Sequence, residues 1–445
     1  MKPILLSLSL LLAVSASAAP DTSREAVAER VSAAAQTPHP RLFATIGTFQ
    51  TVKAKIATDE LTRLGAESVR SDADQLLARK PAERIQTGRR LLDVSRNVLF
   101  RSTTLAMAYR LYGDDRYLKR AQEELCAAAR FTDWNPSHFL DVAEMALAVA
   151  IGYDWLYNEL DPAARDMIAD GLTRHALRQP EGGWSRARNN WGQVCHAGLT
   201  AAALALAERD PETAATVIHR AVVNLPRPMG VYAPNGCYPE GPGYWSYGTD
   251  FNVIAIDLLE NALHTDFGLG SLPGFRETAT FLEYVTGPSG KVFNYADGGM
   301  GRGTDCALWW FAKRLKRPDL LVPFERGAYI AYATRRHRIT DTRGGDRLFP
   351  LTLLWLQPVP TDLKPQLPLL WDAKGPQPIT IQRSGWDNAT DLFIGLKAGS
   401  PSGNHGHMDG GSFVLDAEGI RWAYDLGAES YHKIESLKMN LWNMR

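Results

Sequence analysis

The residues able to do chemistry fall into three stretches that are far apart in the chain. The first is Arg186-Ala187-Arg188-Asn189-Asn190-Trp191-Gly192-Gln193-Val194-Cys195-His196, at the start of a small-residue helix. Asn189, Gln193 and His196 fall at i, i+4 and i+7 and share one helical face, while Asn190 takes the neighbouring one. A single amide there is explained by capping of exposed backbone N–H groups. A second Asn with Trp191, Gln193 and His196 exceeds what a cap requires and reads as a binding surface. The second stretch, Tyr238 to Phe251, holds Glu240, Tyr244, Trp245, Tyr247 and Asp250 among Gly and Pro that predict a loop. Flat rings pack on sugar faces while phenol O–H groups hydrogen-bond sugar hydroxyls. The third, Gly403-Asn404-His405-Gly406-His407-Met408-Asp409, would if extended point His405, His407 and Asp409 to one side. With Asp425 on the next strand, these side chains suit a zinc, or a base and its partner.

Other chemistries are disfavoured. No glycine-rich phosphate loop lies at a strand-to-helix junction, and no GxSxG, HExxH or CxxC is present. An acidic pair for glycoside hydrolysis would have to be Glu240 with Asp250; a noncatalytic glycan-binding groove would use the same aromatic residues. Lys plus Arg number 49 and Asp plus Glu number 49, so no global field draws the chain to nucleic acid. A positive groove must be local, and Arg186, Arg188, Arg302 and Arg383 are its candidates.

These side chains need a scaffold, and 445 residues that are 45% hydrophobic and 22% charged can bury a large core. Lys2, an apolar run from Ile4 to Val14 and Ala16-Ser17-Ala18-Ala19 predict a signal peptide over 1–19, hence a secreted or periplasmic protein. No apolar stretch reaches membrane-spanning length. Cys126 and Cys195 sit in apolar helical patterns as buried thiols, and pairing of Cys237 or Cys306 stays open. Helical periodicity recurs over 93–112, 116–130, 162–177, 190–207, 211–224, 250–264 and 274–286, which predicts stacked helix pairs in a solenoid or closed toroid. Prolines between 357 and 378 predict a stiff connector. Beyond it, 379–383, 392–397, 412–416 and 420–425 read as antiparallel strands, with a hairpin turn at 416–419. The expected organisation is therefore α+β: a helical domain over 38–345, a linker over 346–375 and the start of an antiparallel β domain over 376–445, truncated at Arg445.

The three stretches together, with His39-Pro40-Arg41-Leu42-Phe43, His138-Phe139-Leu140-Asp141 and Tyr153-Asp154-Trp155-Leu156-Tyr157, resemble the heparinase II/III-like polysaccharide lyases. The resemblance implies an N-terminal incomplete (α/α) toroid followed by an antiparallel β-sandwich, an anionic polysaccharide substrate and β-elimination at a uronate. It implies Tyr244 (reserve Tyr247) and His405 as the proton-transfer groups and Asn190 or Asn189 facing the carboxylate. Trp191, Gln193, Glu240, Tyr247 and His138 would line the substrate site. Relatives often carry His after the Asn pair, where this chain has Trp191, so carboxylate neutralisation falls to the amides or to His196, about 10 Å further along the helix. A structural zinc on His407 and Asp425 is also implied, with His432 the only remaining third ligand; no organic cofactor is expected.

Overall fold

The structure, a computed structural model, describes residues 20–335 and 347–439; the expected signal peptide lies outside the described residues. Four long helices, Leu92–Tyr112, Phe139–Leu156, Asn190–Ala205 and Gly241–Leu263, pack side by side in that order. Between them in sequence, Asp115–Ala129, Pro162–Leu172 and Pro211–Asn224 return across the outside, each burying one face. Every residue of Phe139–Leu156 is buried, as a helix walled on all sides must be. Asp114, Asp161 and Asp210 cap the returning helices, two of which carry Pro in the first turn. This arrangement is an α/α toroid.

The family-like motifs near the N-terminus hold this toroid together. The buried Asp154 carboxylate accepts from the backbone N–H groups of Arg41 (3.0 Å) and Leu42 (2.8 Å) and bonds His39 Nδ1 at 2.6 Å. Trp155 Nε1 donates to the Leu42 carbonyl at 2.9 Å. These residues staple the entry segment to an inner helix and lie away from the cleft described below.

A five-stranded antiparallel sheet follows, with strands in sequence order: β1 (Leu370–Ala373), β2 (Ile379–Arg383), β3 (Phe393–Lys397), β4 (Phe413–Ala417) and β5 (Ile420–Ala423). Glu418 and Gly419 both have positive φ, the geometry of a two-residue hairpin turn. The inner face, with Ile379, Ile381, Phe393 and Val414, packs toward the toroid. There Gly395 lies against the Phe293 ring, whose Cδ1 would stand 2.6 Å from an added Cβ. The outer face exposes Ile394, Leu396, Ile420 and Trp422, the apolar layer that a second sheet covers in a sandwich.

Three local expectations differ from the structure. The aromatic stretch is helical rather than a loop, because Gly241 (φ 79°) turns the chain and Pro242 starts the helix Gly241–Leu263. The segment 346–375 contains a buried helix, Phe349–Trp355, and strand β1. Residues 403–411 form a loop, with φ 57° at His405, so the alternation expected of a strand does not apply. All four cysteines are buried and unpaired, and among the described residues no helix is long and apolar enough to cross a membrane.

The crossing of two inner helices depends on Gly198, where a Cβ would lie 2.1 Å from the Ala143 carbonyl oxygen. Gly198→Ala should therefore push the helices Phe139–Leu156 and Asn190–Ala205 apart and cost about 1–3 kcal/mol. Urea unfolding should show a lowered midpoint, and an unchanged midpoint would contradict this packing.

Candidate active site

A cleft of about 750 Å³ opens over the ends of the inner helices, and the loops that meet the sheet complete its wall. Tyr244, in the first turn of Gly241–Leu263, lines it. Its ring stacks on His405 with centroids 3.7 Å apart and planes at 11°. Its hydroxyl lies 3.1 Å from that of Tyr431, on the short helix Tyr431–Ser436. Tyr431 in turn hydrogen-bonds Asp297, whose other oxygen is 2.9 Å from His407 Nε2. Burial, then the neighbouring Tyr244 and Asp297, push the Tyr431 phenol well above its ordinary pKa.

His405 is held from behind. Its Nδ1 is 2.6 Å from Glu240 Oε2, and both side chains are nearly inaccessible. Asn404 Nδ2 donates to the same oxygen at 2.7 Å. Glu240 also accepts from Tyr238, which donates to Gln193 Oε1 at 2.9 Å, and Gln193 donates to Tyr232 at 3.0 Å. Glu240 and Gln193 thus stand behind the cleft wall as supports for His405 rather than on its surface. With Nδ1–H engaged by the carboxylate, Nε2 is the imidazole nitrogen available to the cleft.

Across the cleft, the Asn-rich helix start divides its labour. Asn189 is the N-cap and accepts from the Trp191 N–H at 3.1 Å. Asn190 lines the cleft, buried, and its Oδ1 has no hydrogen-bond partner among the described residues. Rotation about its terminal torsion exchanges Oδ1 and Nδ2, so it can offer either a donor or an acceptor. Trp191 lines the cleft edge-on to His138, at 5.0 Å between rings. His138 Nδ1 is 2.7 Å from the buried Asp141 carboxylate, which leaves Nε2 for the cleft. His196 points elsewhere: it bonds the Ser185 carbonyl, and burial drops its pKa to about 4, so it is neutral and out of reach.

Arginines do line the cleft, mostly other than the expected ones, beside Asp93, Asp250, Asp297 and Asp305. Of the four candidates only Arg302 lines the cleft, joined by Arg89, Arg90, Arg96 and Arg347. Arg186 and Arg188 are exposed outside it, and Arg383 is buried under the sheet, donating to the carbonyls of Glu283 and Tyr284. Tyr247 also lines the cleft, with the Arg96 and Arg347 guanidiniums 4.9 and 5.3 Å from its ring centre.

The residues present do not fit a zinc centre. His407 Nε2 faces Asp297, Asp425 accepts from the Gly427 N–H at 2.7 Å, and the Lys397 ammonium pairs with Asp409. His432 is exposed beside Gly88. Among the described residues no three metal-type ligands converge.

A carboxylate pair does line the cleft, Asp250 with Asp305, but both accept from the Ala307 N–H, at 3.0 and 3.1 Å, and bond each other. Burial and then the neighbouring Asp305 carboxyl raise the Asp250 pKa. Carboxyls in contact leave no room for a sugar between them, unlike the separated pair of a glycosidase.

The sequence did not point to Asp297, Tyr431, Arg96 or Arg347. The run Gly298-Gly299-Met300-Gly301-Arg302-Gly303 was a legible signal for the Asp297 loop, since glycine density marks close backbone approach. Nothing local distinguishes the other three residues.

No protein-family model and no curated protein sequence matches the chain. Among solved structures it is similar to heparinase III, with a TM-score of 0.55, 14% identity and coverage of 92% of this chain. Heparan sulfate lyase HepC from Pedobacter heparinus aligns at TM-score 0.49, 16% identity and 92% coverage of this chain, spanning 62% of that one. An alginate lyase from Bacteroides ovatus aligns at TM-score 0.44, 14% identity, over 70% of this chain and 99% of that one. The chain spans 63% of the heparinase III chain, and what it shares with that protein is the fold, a helical toroid followed by an antiparallel sheet.

Proposed function

We propose that the protein is an exported polysaccharide lyase that cleaves a uronate-containing chain by β-elimination and leaves a 4,5-unsaturated uronate end. The observation that carries this reading is the stack of Tyr244 on a His405 clamped by Glu240, facing Asn190 and His138 across one cleft. The fold likeness to heparinase III supports it.

The chemistry follows from the donors in place. A uronate C5–H is weakly acidic, and drawing charge away from the adjacent carboxylate acidifies it. Asn190 supplies a neutral donor for that carboxylate, and His138 lines the cleft beside it. His405 Nε2, a lone-pair acceptor while Nδ1–H is held by Glu240, takes the C5 proton. The C–H electrons become the C4–C5 double bond, the C4–O4 bond breaks, and the departing oxygen takes the proton of the Tyr244 phenol. A phenol is protonated near neutral pH and suits the acid role. The chain Tyr244, Tyr431, Asp297, His407 then offers a route by which the phenol regains its proton.

A glycosidase reading would rest on Glu240 with Asp250, and it is disfavoured because Glu240 stands behind the cleft wall bonded to His405 while Asp250 is in contact with Asp305. A binding protein would need no proton-transfer pair.

Incubation with heparan sulfate, dermatan, hyaluronan and alginate should raise the ultraviolet absorbance of the conjugated enoate with at least one polymer. Silence with every uronate polymer would sink the reading. Tyr244→Phe should lower turnover by about 10²–10⁴-fold with an unchanged melting temperature; a fully active variant would move the acid role to another residue. Glu240→Gln keeps the packing but weakens the hold on His405. It should cut kcat while leaving KM near its original value, and a change confined to KM would place Glu240 in substrate binding instead.

A further inference from the structure

Behind His405 runs a chain of buried side chains in which one proton has two places to go. Glu240 offers Oε2 both to His405 Nδ1, at 2.6 Å, and to Asn404 Nδ2, at 2.7 Å. Among the described residues its other oxygen, Oε1, meets only the Tyr238 hydroxyl, at 3.4 Å. That hydroxyl lies closer to Gln193 Oε1, at 2.9 Å. A phenol carries a single proton, so the neutral amide and the carboxylate compete for it. Burial, then the Glu240 charge, push the Tyr238 phenol well above its ordinary pKa, so the proton stays on Tyr238 and only its direction is at issue.

The rest of the core decides that direction. Tyr232 Oη is 3.0 Å from Gln193 Nε2 and 2.9 Å from Asn252 Nδ2, and both amides donate to it. Its lone pairs are thereby used, and its own proton goes to Thr249 Oγ1 at 2.9 Å. The Gln193 amide is thus anchored with Nε2 on Tyr232 and Oε1 turned toward Tyr238. Gly248 leaves room for this crossing: an added Cβ would stand 1.9 Å from Gln193 Oε1 and 2.7 Å from the Tyr238 hydroxyl. Tyr238 is held as well, its ring tilted against Tyr232 at 5.5 Å between centroids and its carbonyl accepting from Tyr295 at 2.5 Å. A buried carboxylate short of donors on one oxygen binds more strongly the donors it has.

Resting on the lyase reading above, we infer that Gln193 and Tyr238 are positioning residues that set the strength of the hydrogen bond between Glu240 and His405. Gln193 draws the Tyr238 proton away from Glu240. The carboxylate then pulls harder on the His405 Nδ1–H, which makes Nε2 the better proton acceptor. Neither residue touches the substrate.

The test reads that hydrogen bond itself, by proton magnetic resonance of protein carrying heavy-nitrogen histidine. The His405 Nδ1–H resonance is assigned by its loss in His405→Gln. Tyr238→Phe removes the donor to Glu240 Oε1 and should move the resonance downfield. Gln193→Met frees the Tyr238 proton for Glu240 and should move it upfield. The Nδ1 protons of His39 and His138, held by Asp154 and Asp141, should stay in place in both variants. Each variant loses a buried hydrogen bond and should melt lower, so opposite shifts, not stability, separate a positioning role from a structural one. If Tyr238→Phe fails to fold, the upfield shift of Gln193→Met decides alone. In the lyase assay Gln193→Met should lower kcat about fivefold at unchanged KM. Shifts in one direction for both variants, no shift in Gln193→Met, or equal movement of all three histidines would each overturn the assignment. Failure of the lyase reading shows separately, as an absence of enoate product from the unsubstituted protein while the opposite shifts persist.

Discussion

The site depends on one buried contact, the 2.6 Å hydrogen bond between Glu240 and His405. Glu240 is the residue just before the helix Gly241–Leu263, and His405 lies in the loop between β3 and β4, so this bond joins the helical body to the sheet. A carboxylate buried to this degree is costly without donors. His405, Asn404 and Tyr238 supply them, and the Tyr238 to Gln193 to Tyr232 chain carries the support into the core. The same contact fixes the imidazole orientation, sets His405 flat on Tyr244 and leaves Nε2 for the cleft. If the loop moved away, a charged group would be left buried and the proton-transfer pair would come apart together.

Around that contact the protein repeats one device, a buried carboxylate that aims a cationic or imidazole side chain into the cleft. Asp141 holds His138, and Glu144 holds Arg96 and Arg347. The carboxylates sit on the fully buried helix Phe139–Leu156, which the tight crossing at Gly198 locks against the helix carrying Asn190. On the proposed lyase reading, the inner helices supply the substrate-facing groups and the sheet loop supplies the base.

Much of this was legible in the sequence because it is local. Helix periodicity, Asp-Pro starts and strand alternation depend on neighbours in the chain, and the β2 to β5 strands and most inner helices lie within a residue or two of where the pattern placed them. Tyr244, His405 and Asn190 drew notice because each sits in an unusual cluster of types. What was not legible is long-range. The i, i+4, i+7 face of Asn189, Gln193 and His196 splits into a cap, a support for Tyr238 and a core histidine, because the surrounding helices, not the spacing, decide what each meets. Arg96, Arg347 and Tyr431 are ordinary in their local context and gain meaning only from Glu144, Tyr247 and Tyr244 across the fold. The extended reading of 403–411 failed because glycines and the positive φ of His405 turn the backbone, sending His405 to Glu240 and His407 to Asp297.

The central claim is that the bond between sugars breaks by elimination and not by addition of water. Degradation of a uronate polymer in heavy-oxygen water, followed by mass spectrometry of the fragments, tests this directly. Elimination predicts fragments that carry no solvent oxygen at the new ends and one unsaturated end per cleavage. Heavy oxygen built into one new end at every cleavage, with saturated products, would contradict the account.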